Sequence, residues 1–259
     1  AVVTAAAATR VEEGVFTATL TAAQTAQLDE LTAVWTLGDT TTRTTVHEIV
    51  GGFYFTAALA RDVERTLLAD RTKYPDPLVQ STRLEVEDEC EFICDRAFVP
   101  RYTRVVLNGT GADYLILPRG DIRTVRSVHV LDVAGSSSST AFTADELAAL
   151  VWQPGTPLDG GDPMIRRGDA GWFAPGRGNV VVEFEYGLDQ PPADLQRATI
   201  RRLRSRLTTE ASGIPDRATS FSVTNGGTYQ LANPGPYSTG IPEPSRRWMV
   251  RRRMSEVSS

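Results

Sequence analysis

Residues 76–100 read DPLVQSTRLEVEDECEFICDRAFVP, and this stretch decides the fold. The cluster Tyr74-Pro75-Asp76-Pro77 stops one helix and starts another, with Asp76 suited to the N-cap and Pro77 to the first helical position. From there Val79, Val86, Cys90, Ile93 and Ala97 recur along one face. Glu85, Glu87, Asp88, Glu89, Glu91 and Asp95 make the rest acidic, and Pro100 ends the segment. The pattern predicts a helix over about 77–97. Its acidic positions read first as a solvated face and next as a salt-bridging interface; a cation site or a catalytic carboxylate pair is the weakest reading. Cys90 and Cys94, one turn apart, read as small buried residues. No second cysteine or adjacent histidine completes a metal half-site, and a disulfide would be strained at this spacing.

Working outward, Leu59, Val63 and Leu67 at i, i+4, i+8 predict a helix over about 58–71. Before it, residues 1–56 read as β: Val15 to Leu20, an alternating Leu31 to Leu37 around Trp35, and a Thr/Val-rich Thr41 to Val50, broken by Gly51-Gly52. Thr21 to Leu28 suits one turn of helix between strands. The expectation is a small β-sandwich-like module. After Pro100, β structure resumes over 101–186. Tyr102 to Leu107 and Tyr114 to Leu117 flank Asn108-Gly109-Thr110-Gly111, a hairpin signal. Ile122 to Leu131 alternates, with Val125, Ser127 and His129 on one face. Thr143 to Leu150 reads as helix, residues 153–178 as an irregular Pro/Gly-rich excursion, and Asn179 to Tyr186 as a strand. Pro191-Pro192 opens a last helix, about 193–211, with Ile200, Leu203 and Leu207 as its apolar stripe. Arg197, Arg201 and Arg204 form one basic stripe, and Arg202 with Arg206 a second. From Asn233 the chain has many Pro and Arg, no periodicity, and nothing from which to build a core of its own.

Composition narrows the function. The 259 residues can bury a substantial core, and 41% hydrophobic with 23% charged residues exclude a disordered chain. No apolar run approaches the roughly 20 residues of a membrane span, and the residues from Ala1 do not read as a signal segment. Two cysteines exclude a disulfide scaffold, and two histidines, His47 and His129, leave little for a Ser-His-Asp triad. Of 27 basic residues only Lys73 is lysine, which fits a GC-rich genome. The net charge of −5 is split: Leu195 to Ser259 carries +7 and the remainder −12, an acidic body with a basic C-terminal portion that calls for an acidic partner or a nucleic acid. Arg119-Gly120-Asp121 and Arg167-Gly168-Asp169 read as turn chemistry rather than adhesion motifs. Gly109-Thr110-Gly111 and Gly176-Arg177-Gly178 do not extend to phosphate-cradling loops.

The residues then resemble a family. Glu85 to Arg101 (EVEDECEFICDRAFVPR) looks like the second helix of the head-tail connector (adaptor) proteins of long-tailed phages. Val105 to Gly111, Leu115-Ile116-Leu117-Pro118 and Ile122 to Val128 are similar to that family's hairpin, followed by Leu-Pro and an Arg-Ser-Val strand. Tyr186-Gly187, Pro191-Pro192-Ala193-Asp194-Leu195, Ile214 to Phe221 and Thr239 to Glu243 resemble adaptors of actinobacterial siphophages. The resemblance spans about residues 57–245; residues 1–56 look like an addition to it, and Trp248 to Ser259 carry no motif of it.

The resemblance implies an α+β fold, a small helical core of connector-type helices with a β-rich insertion. The expected division is a peripheral β module (1–56), a connector core (57–231) and an extended C-terminal arm (232–259). It implies a virion neck protein, in the host cytoplasm during assembly, that forms a dodecameric ring between portal and tail, with no catalysis and no cofactor. Its partners would be further copies, the portal protein, tail-side neck or tail terminator proteins, and duplex DNA passing through the lumen without sequence-specific binding; no membrane is involved. Arg246, Arg247, Trp248, Arg251, Arg252 and Arg253 are then expected in a portal-docking arm. Arg197, Arg201, Arg202, Arg204 and Arg206 are expected on an inter-subunit or portal-facing helix, and Glu85, Asp88, Glu89 and Glu91 on an acidic interface helix. Two other classes remain. A β-rich virion decoration or adhesion module would account for residues 1–56, and a carbohydrate-active enzyme would use Glu183 and Glu185, at i, i+2 on one strand face.

Overall fold

The computed structural model describes residues 8–13, 15–37, 41–132, 135–153, 162–212, 218–222, 228–231 and 248. Strand β1 (Thr9–Glu12) pairs with β2 (Val15–Thr17), and β3 (Asp29–Leu37) with β4 (Thr41–Ile49), as two separate antiparallel ribbons. This corrects the expected sandwich: among the described residues none before Tyr54 is buried, so the ribbons share no core. Alternation along β3 turns Leu31, Ala33 and Trp35 to one half-buried face. There the Trp35 indole donates to Thr45 Oγ1 at 2.9 Å, which lies 2.9 Å from His47 Nε2. Thr21 to Thr25 makes the expected single turn, with Thr25 N–H on Thr21 O. The expected module boundary at 56 also falls too late. Tyr54 and Phe55 are core residues of the helical part.

Helix α1 (Ala57–Val63) is capped by the Thr56 hydroxyl, which accepts from Leu59 N–H at 3.1 Å. It is half the expected length, and its predicted stripe holds only at Leu67, which packs against the core: Leu59 and Val63 are exposed, while Ala60 and Leu68 are buried. Arg61 supplies the reason. Its guanidinium donates to the Leu68 and Tyr74 carbonyls and pairs with Asp76 at 2.7 Å, so residues 64–74 fold back around it in turns. Helix α2 (Asp76–Cys94) starts one residue early, with Pro75 as N-cap, and stops at Asp95 in the left-handed region (φ 48°), ahead of Pro100. Its apolar face is as expected: Val79, Val86, Cys90 and Ile93 are buried against Leu195, Ile200, Leu203 and Leu207 of α4 (Ala193–Ser212). Each such side chain stabilises the fold by roughly 1.5–3 kcal/mol. Tyr54, Phe98 and Trp248 complete this first core.

A second core lies between two antiparallel sheets, so the sandwich-like packing occurs in the insertion and not at the N-terminus. One sheet has the order β5 (Arg101–Gly109), β11 (Gly176–Tyr186), β7 (Ile122–Leu131), β8 (Ser139–Ala141). The other has β6 (Tyr114–Ile116), β10 (Met164–Arg167), β9 (Leu150–Gln153). Leu115, Ile165 and Leu150 from the second sheet meet Val128, Val180, Val182 and Phe184 from the first. Helix α3 (Ala144–Ala148) carries a capping box between Thr143 and Glu146. The C-terminal region adds a hairpin of β12 (Ala218–Ser222) and β13 (Thr228–Leu231).

The expected β5–β6 hairpin does not form. The chain instead crosses from one sheet to the other, because its Asn-Gly pair bonds to the first residues of β11: Asn179 Oδ1 accepts from Gly109 N–H and Asn108 Oδ1 from Gly178 N–H. A Cβ at Gly109 would lie 1.8 Å from Ala174 O, so only glycine allows this approach. The expected irregular excursion 153–178 likewise contains β10 and the start of β11. In β7, Ser127 pairs with Glu183 but Val125 with Phe184; the skipped Arg126 is a bulge that puts Val125 into the core with Val128, against the expected alternation.

Candidate interaction surfaces of the helical lobe

The acidic and basic stripes meet within the chain. Glu89, on the flank of α2, receives a two-pronged ion pair from Arg202 of α4, with Nε and Nη2 each at 2.9 Å from a carboxylate oxygen, and a longer contact from Arg206 at 3.5 Å. Arg204 pairs with Glu64 at 3.1 Å. Of the residues expected at a subunit or portal surface, Arg202 is therefore buried and Glu89, Arg204 and Arg206 are engaged at home. The reason is geometric: Arg202 follows the buried Ala198 by one helical turn and Leu195 by two, so its side chain is carried into the seam between α2 and α4.

On the other flank of α2, Glu87 is buried. Its Oε1 accepts from Tyr54 N–H at 2.9 Å, with the Arg83 guanidinium 3.6 Å away. Burial pushes the Glu87 carboxyl up to about 7 despite these partners. Arg83 itself donates to Phe55 O and stacks on the Phe53 ring, 3.8 Å from its centroid. One turn on, burial raises Glu91 too, although Arg101 Nε lies at 2.9 Å and the Tyr54 hydroxyl donates to it at 3.1 Å. Arg101 also grips Glu48 of β4, tying the N-terminal ribbon to α2. Glu48, Glu91 and Arg101 line a cleft of about 720 Å³ together with Asp88, Phe92, Arg96 and Arg119. Arg96 crosses to the β part, donating to both oxygens of Asp121 at 2.5 and 2.7 Å.

What faces outward is smaller than the sequence implied. Glu85, Asp88 and Phe92 on α2, and Arg197 and Arg201 on α4, are exposed. Trp248 is 0% exposed, packed in the first core with its carbonyl 3.3 Å from Cys94 Sγ. This corrects its expected role as an exposed anchor: the end of the chain lends its aromatic to the protein's own core. Arg246, Arg247, Arg251, Arg252 and Arg253 lie outside the described residues. Cys90 and Cys94 are free, buried thiols, as expected.

The remaining candidates also have structural partners. Asp121 of the first Arg-Gly-Asp is buried on Arg96. In the second, Arg167 pairs with Asp169 and Glu146 as a turn, and holds the Asp169 carboxyl down to about 2. Glu185 is held by Arg126 at 2.6 Å, and Glu183 accepts from Ser127 Oγ at 3.1 Å. Among the described residues no His/Cys/Asp/Glu group has the arrangement of a metal site, and no described helix is long and apolar enough to cross a membrane. Sequence reasoning missed Arg61, Arg83, Arg101 and the buried Glu87. Only the Arg83–Glu87 spacing of i, i+4 was a usable local signal.

No protein-family model and no curated protein matches the sequence. Solved structures similar to this chain include two phage-like particle necks. One is the neck of an empty gene transfer agent (GTA) particle computed with C6 symmetry, at TM-score 0.49 and 17% sequence identity, covering 80% of this chain and 93% of that one. The other is the neck of a native GTA particle computed with C12 symmetry, at TM-score 0.44 and 18% identity, covering 81% of this chain and 98% of that one.

Proposed function

We propose that this chain is a structural protein of a virion neck, a head-to-tail adaptor of the long-tailed phage type found in actinobacterial siphophages. Copies form a ring, with twelve as the expected number, that joins the portal to the tail-side proteins and lets duplex DNA pass without reading its sequence. The carrying observation is how the segments with connector resemblance are arranged. The acidic helix and the Pro-Pro-initiated helix pack on each other through one core and the Glu89–Arg202 pair, and the hairpin-resembling stretch forms the β part attached to them by Arg96–Asp121. That is a helical core with a β-rich insertion, the plan the resemblance implies. The chain does no catalysis in this reading. Glu183 and Glu185 serve the sheet surface as partners of Ser127 and Arg126.

The docking arm is narrowed to the arginines, since Trp248 belongs to the core. Arg251, Arg252 and Arg253 offer forked donors to portal carboxylates, and repetition around a ring multiplies a modest contact. The test is negative-stain imaging of the purified protein and of labelled particles, with portal capture by wild type and by a chain carrying alanine at 251, 252 and 253. Rings or a neck position, with capture lost in the triple variant, are expected. A label elsewhere on the particle would overturn the neck reading, and undiminished capture would overturn the arm. Reproducible glycosidase turnover abolished by Glu183→Gln would overturn the non-catalytic role.

A further inference from the structure

The Asn108-Gly109 pair that ends β5 is held by the residues that open β11. Gly109 N–H donates to Asn179 Oδ1 at 2.9 Å, and Asn108 Oδ1 accepts from Gly178 N–H at 2.8 Å. Asn179 is 6% exposed, and its side-chain amide donates to Ala174 O at 2.9 Å, which fixes the oxygen that holds Gly109. Asn108 itself is exposed to water. Asparagine is a thermolabile residue, and before glycine it is at its most reactive, because no Cβ shields the following backbone nitrogen.

We infer that Asn108 is a deamidation site that the Asn179 clamp holds latent. In the reaction, hydroxide takes the Gly109 amide proton and the nitrogen attacks Cγ of Asn108. The new N–C bond closes a succinimide ring as the bond from Cγ to the side-chain nitrogen breaks. Ammonia leaves with a proton from water, which restores the hydroxide. A further water opens the ring to aspartate or isoaspartate. Two features of the fold oppose the attack. The proton that must leave Gly109 is engaged on Asn179, and pairing at Leu107 and Gly109 holds Asn108 in an extended backbone that ring closure requires it to leave. Gly178 N–H acts the other way, since it polarises the carbonyl under attack. The restraint therefore rests on Asn179, and the rate follows how often this end of the sheet opens. Isoaspartate lengthens the main chain by one carbon where a Cβ on Gly109 would lie 1.8 Å from Ala174 O, so that product has no room to close the clamp again.

The test incubates the full chain at mildly alkaline pH, natively and in denaturant, and follows Asn108 by peptide mapping with mass spectrometry. In denaturant Asn108 should convert, as should the asparagine of the chain's other Asn-Gly pair, Asn225-Gly226. In the native chain Asn108 should convert about 10-fold or more slowly than in denaturant. Asn179→Ala, checked for native circular dichroism, should speed native conversion about 10-fold, since Gly109 N–H then loses its acceptor. If Asn179→Ala does not fold, hydrogen exchange in the wild type reads the clamp directly, and Gly109 N–H should exchange slowly. Equal conversion of Asn108 with and without denaturant, unchanged conversion in folded Asn179→Ala, or exchange of Gly109 at the unprotected rate would overturn the clamp. An Asn108 that stays intact even in denaturant would overturn the site.

Discussion

Glu87 sets the pH response at the scale of one residue. Its carboxyl titrates at about 7 in the folded chain against 4.5 for the free group, because burial outweighs the Tyr54 N–H and Arg83. The folded state therefore holds a proton that the unfolded chain has released between these two values. The sign follows: stability from this group is full below about 4.5 and is lost as pH rises through 7. Glu91, raised from the same value by the same cause, adds in the same direction. Asp169, held down by Arg167, acts oppositely and only at the acid end, losing its contribution as pH falls toward 2. In Glu87→Gln the acceptor for Tyr54 N–H remains while the titration goes. Denaturant unfolding followed from pH 4.5 to 8 should have a flatter profile in this variant, with a gain of about 1–3 kcal/mol over wild type at pH 8. Profiles that run parallel would mean Glu87 is not the titrating group.

Helix α4 separates structural from surface charge at the scale of an element. Arg202 and Arg197 are the same residue type on the same helix, yet one fills the seam with Glu89 and the other faces out. Arg202→Ala leaves Glu89 without its main partner in a partly buried seam and should cost about 2–4 kcal/mol, whereas Arg197→Ala should change stability by less than about 0.5 kcal/mol. Thermal unfolding of the two variants side by side checks this; equal losses would contradict the seam. The N-terminal ribbon is a smaller case of the same division. Its two strands form no core of their own, and a two-stranded hairpin is marginal in water. It is held by Arg101 on Glu48 and by Arg126 on Leu28 O, both reaching from the β-rich part.

The two cores meet where α2 gives way to β5, and Trp248 closes the helical one, at the scale of the molecule. Trp248 is fully buried in this core although more than 30 positions separate it from the end of α4. Trp248→Ala should lower stability by about 3–5 kcal/mol, the range for emptying an aromatic site. Substitutions at Arg251, Arg252 and Arg253 should leave the unfolding midpoint unchanged. A Trp248→Ala midpoint within a degree of wild type would remove the residue from the core. Any truncation before 248 therefore tests folding as well as docking.

Residues 76–100 were enough by themselves to place α2, its buried face and its acidic flanks, and Ile200, Leu203 and Leu207 did the same for α4. Helical periodicity is a local property, and a stripe of apolar residues needs only some core to face. The helix after Thr143 and the strand ending at Tyr186 were legible because their signals are local too. Tertiary structure alone decided which charges meet. Glu89 and Arg202 are 113 positions apart, and nothing local to α4 shows that a carboxylate waits for Arg202. It also decided strand pairing: the Asn108-Gly109 signal is that of a hairpin, but Asn179, 70 positions on, captures the turn and sends the chain to another sheet. Arg61 in the same way ends α1 by binding carbonyls that the helical pattern leaves out of account. In each case the competing partner is distant in sequence, and only the folded chain brings it within hydrogen-bonding distance.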